Sequence, residues 1–145
     1  MYKKKMRVII ADESPFHLRE IERNFNRAGC YGVVPVRAFG ELLTLCHYAT
    51  KPFDLLVFNK DVFKEQDISI ARFLQESKML KHVMTYKPSE AFRSFTETAD
   101  ARSIYCHASV TPNEQLIDEL LAVIVSYSLS SELGQIGLEA DSFLS

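Results

Sequence analysis

The sequence predicts a doubly wound α/β domain, a parallel sheet covered by helices on both faces. Three observations predict it. Short apolar runs recur along the chain, bounded by Asp, Asn, Gly or Pro. Each run is followed by a segment with helical spacing of its apolar residues. The β-α order repeats five times, and strict alternation implies right-handed crossovers and a parallel sheet.

Met6 to Ala11 is the first run, continuously apolar after Arg7, as a strand buried on both faces requires. Asp12, Glu13, Ser14 and Pro15 end it, and Ser14 with Pro15 is an N-cap and N1 pair. The first helix carries Leu18, Ile21 and Phe25 on one face and stops near Gly29. Val33 to Val36 is the second strand. Pro35 within it cannot donate to a ladder, which puts this strand at a sheet edge. Gly40 to Ala49 is the second helix, with Leu42, Leu43 and Cys46 inward. Pro52 breaks the chain, and Asp54 opens the third strand, Leu55 to Phe58.

A third helix is expected from about Glu65 to Ser77, a fourth strand over His82 to Tyr86 and a fourth helix over Glu90 to Thr98. Ser103 to Cys106 is the fifth strand. Thr111, Pro112, Asn113 and Glu114 form a capping box that opens the last helix, to about Ser128, with Leu116, Leu120 and Ile124 on one face. With the second strand at an edge, the order is the flavodoxin-like 2-1-3-4-5. The domain spans residues 1–129. The tail, Ser130 to Ser145, is rich in serine and glycine and has no strong period; it is either unstructured or docked through Leu133, Ile136 and Leu138.

Composition narrows the function. The chain has 145 residues, 47% hydrophobic and 25% charged, with a formal net charge of −2. That balance gives no reason to expect nucleic-acid binding, which usually needs a basic face. The one basic run, Lys3 to Lys5, reads as a solvated end. The longest apolar run, Leu120 to Val125, is far short of the ~18 residues that span a membrane. Cys30, Cys46 and Cys106 are odd in number and lack CxxC spacing, so free thiols and a cytoplasmic location are expected.

In sheets of this kind, ligands sit beyond the carboxyl ends of the strands, between strands one and three. The residues there are Asp12, Glu13 and Asn59. Two adjacent acids after a buried strand suit Mg²⁺; equally, they suit the N-terminal dipole of the helix that follows. Cys46-His47 and Cys106-His107 resemble metal or thiol-base pairs, but neighbouring residues point apart on a strand and diverge on a helix, so neither pair chelates. The five glycines form no phosphate loop, and no G-x-S-x-G elbow is present. No enzymatic activity is expected.

Three segments, VIIADESPFHLREIERNFNRAG, PFDLLVFNKDV and TPNEQLIDELLAVI, resemble the response-regulator receiver family in their order and spacing, from about Met6 to Tyr127. The resemblance implies that Asp12 and Glu13 are the family's acidic Mg²⁺ pair. It places the phosphoacceptor position, five residues after Asp54, on Asn59. The family's switch hydroxyl falls on Thr85, with Tyr86 competing, and its switch aromatic on Tyr105. The family's lysine after the fifth strand has no counterpart, since no lysine follows Lys87. An amide is a poor nucleophile and cannot form an acyl phosphate. Asp61, two residues further on, is a substitute acceptor only from a loop.

The resemblance therefore implies a degenerate receiver: a phosphorylation-independent bacterial signalling adaptor or regulator of two-component type. It would act on another protein (a sensor kinase, a regulator or an output protein), with no cofactor beyond weak Mg²⁺ at Asp12 and Glu13. The implied contact face is helix four, strand five and helix five, with Phe92, Phe95, Tyr105 and Leu116 as anchors, and a homodimer could form through it. No nucleic-acid or membrane partner is expected. The other readings are a small-molecule or ion sensor using Asp12, Glu13 and Asn59, an enzyme of flavodoxin-like fold, or a receiver fragment of a larger regulator.

Overall fold

The computed structural model describes residues 5–60, 72, 73, 76–86, 94–97, 104–108 and 112–126, with backbone alone for 94–97 and 104–108. The tail from Ser130, Phe92, Asp61 and the start of the expected third helix lie outside these residues. The protein is α/β. Strands β1 (Arg7–Ala11), β2 (Gly32–Val36), β3 (Phe53–Asn59) and β4 (Leu80–Tyr86) are mutually parallel, in an arrangement compatible with a flavodoxin-like fold. Helix α1 (Pro15–Arg27) follows β1 and α2 (Phe39–Tyr48) follows β2. Helix α3 covers 114–126, and residues 72, 73 and 76 are also helical.

Each sheet face has its own core. Val8, Ile10, Leu55, Val57 and Met84 pack with Leu18, Ile21 and Phe25 of α1 and with Leu116, Leu120 and Ile124 of α3. Ile9, Ala11, Leu56 and Phe58 pack on the other face with Leu42 and Cys46 of α2. This explains why the strands read as unbroken apolar runs: alternate residues feed opposite cores, and both are apolar. β2 lies at the end of the sheet beside β1, where Pro35 needs no ladder donor on its open side.

Local chemistry sets the connections. The Ser14 hydroxyl accepts the His17 N–H at 3.3 Å and caps α1, with Pro15 in its first turn. At the other end Gly29 takes φ +92°, and the Cys30 N–H closes back onto the Phe25 carbonyl at 2.9 Å. Gly32 permits β2 to meet β1, since a Cβ there would lie 2.7 Å from the Met6 carbonyl oxygen. α3 opens on Asn113, whose side-chain oxygen accepts the Leu116 N–H at 2.8 Å.

One expectation is corrected. The helix expected over Glu90 to Thr98 is not formed at residues 94–97, which are strand β5 (Ser94–Glu97). β5 runs antiparallel to β6 (Ile104–Ala108), which pairs in parallel with β4. Among the described residues the sheet thus has six strands, ordered β2-β1-β3-β4-β6-β5, where five were expected. The threonines and phenylalanine of Ser94 to Thr98 favour strand. The expected face of helix four, strand five and helix five is therefore not built as anticipated. Phe95 and Tyr105 are both on strands, and Leu116 is 0% exposed in the core, where it cannot anchor a partner.

Candidate functional site at the carboxyl ends of the central strands

Asp12 is the first residue after β1, Asn59 the last of β3 and Tyr86 the last of β4. The register aligns Ala11 with Phe58 and Asn59 with Tyr86, so the three residues converge. The backbone holds the first of them: the Asp12 N–H donates to the Val36 carbonyl at 3.1 Å. Asp12 is 1% exposed, yet its carboxylate is fully engaged. Oδ1 accepts the Ser14 N–H at 2.9 Å, an Asx-type turn that leads the chain into α1. Oδ2 accepts the Asn59 amide at 3.0 Å, the Tyr86 hydroxyl in a short contact, and His17 Nδ1 at 3.1 Å. A buried carboxylate needs such compensation, because an unpaired one is costly.

Tyr86 is itself fully buried. Burial, and then the adjacent Asp12 carboxylate, push its phenol far above the ordinary tyrosine range, so it remains a donor. The site is a closed knot: one buried anion, and donors from β3, β4, the β1-α1 turn and the first turn of α1.

The residues expected in this site fall into two groups. Asp12 and Asn59 meet. Glu13 is exposed and does not join them; its backbone carbonyl accepts Arg37 Nε at 3.3 Å. Thr85 is buried and stands opposite Phe58 in the register, so its side chain points to the other sheet face from Tyr86. The hydroxyl next to the acceptor position therefore belongs to Tyr86 and not to Thr85. Ser14, His17 and Tyr86 complete the site. Tyr86, the competing reading for the switch hydroxyl, stands opposite Asn59 in the register and shares its parity. His17 stands five residues after Asp12 in the first turn of a capped helix, a signal that spacing alone left unread.

These residues do not fit Mg²⁺. Both oxygens of Asp12 already accept hydrogen bonds, Asn59 turns its amide nitrogen toward Asp12, and the second acid is exposed. Among the described residues no group of three or more His, Cys, Asp or Glu side chains could hold a metal ion.

The Asp54 carboxylate, five residues before Asn59, belongs to the other end of the strands. It accepts the Arg7 N–H at 2.8 Å and pairs with Lys81 at 3.5 Å. Cys30 lies toward that end, bonded to the Met6 carbonyl at 3.9 Å; burial raises its thiol to about 11. Cys30 and Cys46 are free and buried. Cys46 and His47 diverge on α2: the thiol is buried, while the exposed imidazole packs edge-on against Tyr48 at 4.8 Å. A groove of about 660 Å³ runs beside α2, lined by residues including Leu43, Tyr48, Phe73 and Glu76. No described helix is long and apolar enough to cross a membrane. No family model, curated protein or solved structure matches the chain.

Proposed function

We propose that the protein is a regulator on a receiver-like scaffold, working in the cytoplasm by contact with another protein and without an aspartyl phosphate. One observation carries this reading: the position that a phosphoacceptor would occupy is an amide already bonded to Asp12, and Tyr86 fills the space beside it. A site closed by its own donors leaves Asp12 no free carboxylate oxygen with which to recruit Mg²⁺. What remains useful is the surface. On this reading the order β2-β1-β3-β4-β6 is the flavodoxin-like 2-1-3-4-5, and β5 is an added edge strand that reshapes the far side of the sheet. A partner would meet that side, where β5 and β6 replace the helix-based face. The ion-sensor alternative loses support because Glu13 does not enter the pocket.

The test is incubation with acetyl phosphate and Mg²⁺, followed by intact-mass measurement and mapping. No acid-stable, base-labile phosphoryl adduct should form at Asn59 or Asp61. Such an adduct at either residue would refute the reading.

A further inference from the structure

We propose that Nε2 of His17 is a phosphoryl-accepting nucleophile, set in its reactive tautomer by the buried carboxylate of Asp12. This goes beyond regulation by contact and leaves the aspartyl route closed. The ring presents Nδ1 to Asp12 Oδ2 at 3.1 Å, with Asp12 1% and His17 34% exposed. A carboxylate only accepts, so the proton of the neutral ring sits on Nδ1 and the lone pair on Nε2. Nε2 lies across the ring from Asp12, and no described residue bonds to it. A ring nitrogen oriented by a buried acceptor behind it is the arrangement nucleophilic catalysis uses.

The surroundings suit the added charge. His17 lies in the first turn of α1, where the helix dipole favours an anion. Arg37, bonded to the Glu13 carbonyl, brings a guanidinium to the same loop. The other histidines with described side chains sit differently: His47 is exposed and packs on Tyr48, and His82 is 4% exposed, too buried to meet a phosphoryl donor.

The donor class is a phosphoramidate. Nε2 attacks phosphorus, a new N–P bond forms, and the donor's P–N bond breaks. The bonding pair leaves on the amine, which departs as ammonia from zwitterionic phosphoramidate. The ring becomes an imidazolium that keeps its Nδ1 proton, and Asp12 balances its charge.

The experiment treats the whole protein with potassium phosphoramidate and follows phosphoryl incorporation by intact mass, with sites assigned by fragmentation. His17 should be labelled about tenfold or more faster than His47, because Asp12 orients the His17 ring while His47 packs on Tyr48. The adduct should be acid-labile and base-stable, and His17→Asn should remove it. Asp12→Asn should slow His17 by about tenfold or more and leave His47 unchanged. If Asp12→Asn does not fold, Tyr86→Phe decides. That change removes a competing donor from Oδ2, so labelling of His17 should hold or rise. Labelling of His47 as fast as His17 overturns the proposal, and so does a folded Tyr86→Phe protein whose His17 rate drops to that of His47. An acid-stable, base-labile adduct would instead refute the proposed function, so the two failures are distinguishable.

Discussion

Asp12 and Asp54 sit at opposite ends of the same central strands and are held in different ways. Asp12 is sealed, and three of its four partners are neutral donors: an amide, a phenol and a backbone N–H. The fourth, His17, is partly exposed. Asp54 keeps 13% of its side chain in solvent and is held by the Arg7 N–H together with an exposed lysine. The difference teaches what each end does. Asp54 ties β1 to β3 where the strands enter the sheet, and solvent screening makes it tolerant of change. At Asp12 a charge has been buried among oriented dipoles, so a change of one atom nearby alters its whole balance.

The largest effect should come from Asn59→Asp. It replaces a donor 3.0 Å from Asp12 Oδ2 with a second carboxylate in a buried site. Breaking a buried charge's compensation this way costs about 3–5 kcal/mol at neutral pH, measured by denaturant unfolding. Two carboxyls this close cannot both ionise, so one binds a proton more tightly folded than unfolded. The deficit against the parent should therefore grow as pH rises above the ordinary carboxyl range of about 4 and vanish below it. A deficit independent of pH would mean that Asp12 and residue 59 do not share a pocket.

Tyr86→Phe is next. It removes one donor from the buried carboxylate and should cost about 2 kcal/mol, the usual worth of a hydrogen bond to a charged group. Thr85→Val on the opposite sheet face is the comparison, since it leaves the Asp12 donors untouched. Equal losses of Asp12 contacts by NMR in both variants would contradict the assignment of Tyr86.

The smallest effect belongs to the other end. Asp54→Asn keeps an acceptor for the Arg7 N–H and loses only a half-exposed ion pair, so about 1 kcal/mol is expected, reduced further by salt. A loss as large as that of Asn59→Asp would erase the distinction between the two ends.

Much of the architecture was legible because the residues that build it are locally decisive. The buried strands follow from their unbroken apolar runs, α1 from Ser14 and Pro15, and the edge position of β2 from Pro35. The convergence of Asp12 with Asn59 followed from the rule that strand ends gather at the switch point. Side-chain parity was less accessible. Thr85 and Tyr86 are neighbours with opposite directions, and only the register of β4 against β3 decides between them. Whether Glu13 turns in or out depends on the turn that Ser14 closes over Asp12. β5 was misread because its one apolar residue, Phe95, sets no period, and pairing with β6 is a tertiary effect that no local pattern reports.

The central claim is that the Asp12 site is closed by its own side chains. A calorimetric titration with Mg²⁺, run on the parent and on Asn59→Asp, tests it most directly. The parent should give no saturable binding, because Asp12 has no free oxygen and no second acid beside it. Asn59→Asp should bind Mg²⁺ and recover stability with it, since the ion relieves two apposed carboxylates and binds only the folded state. Saturable binding of Mg²⁺ to the parent, abolished by Asp12→Asn, would contradict the account.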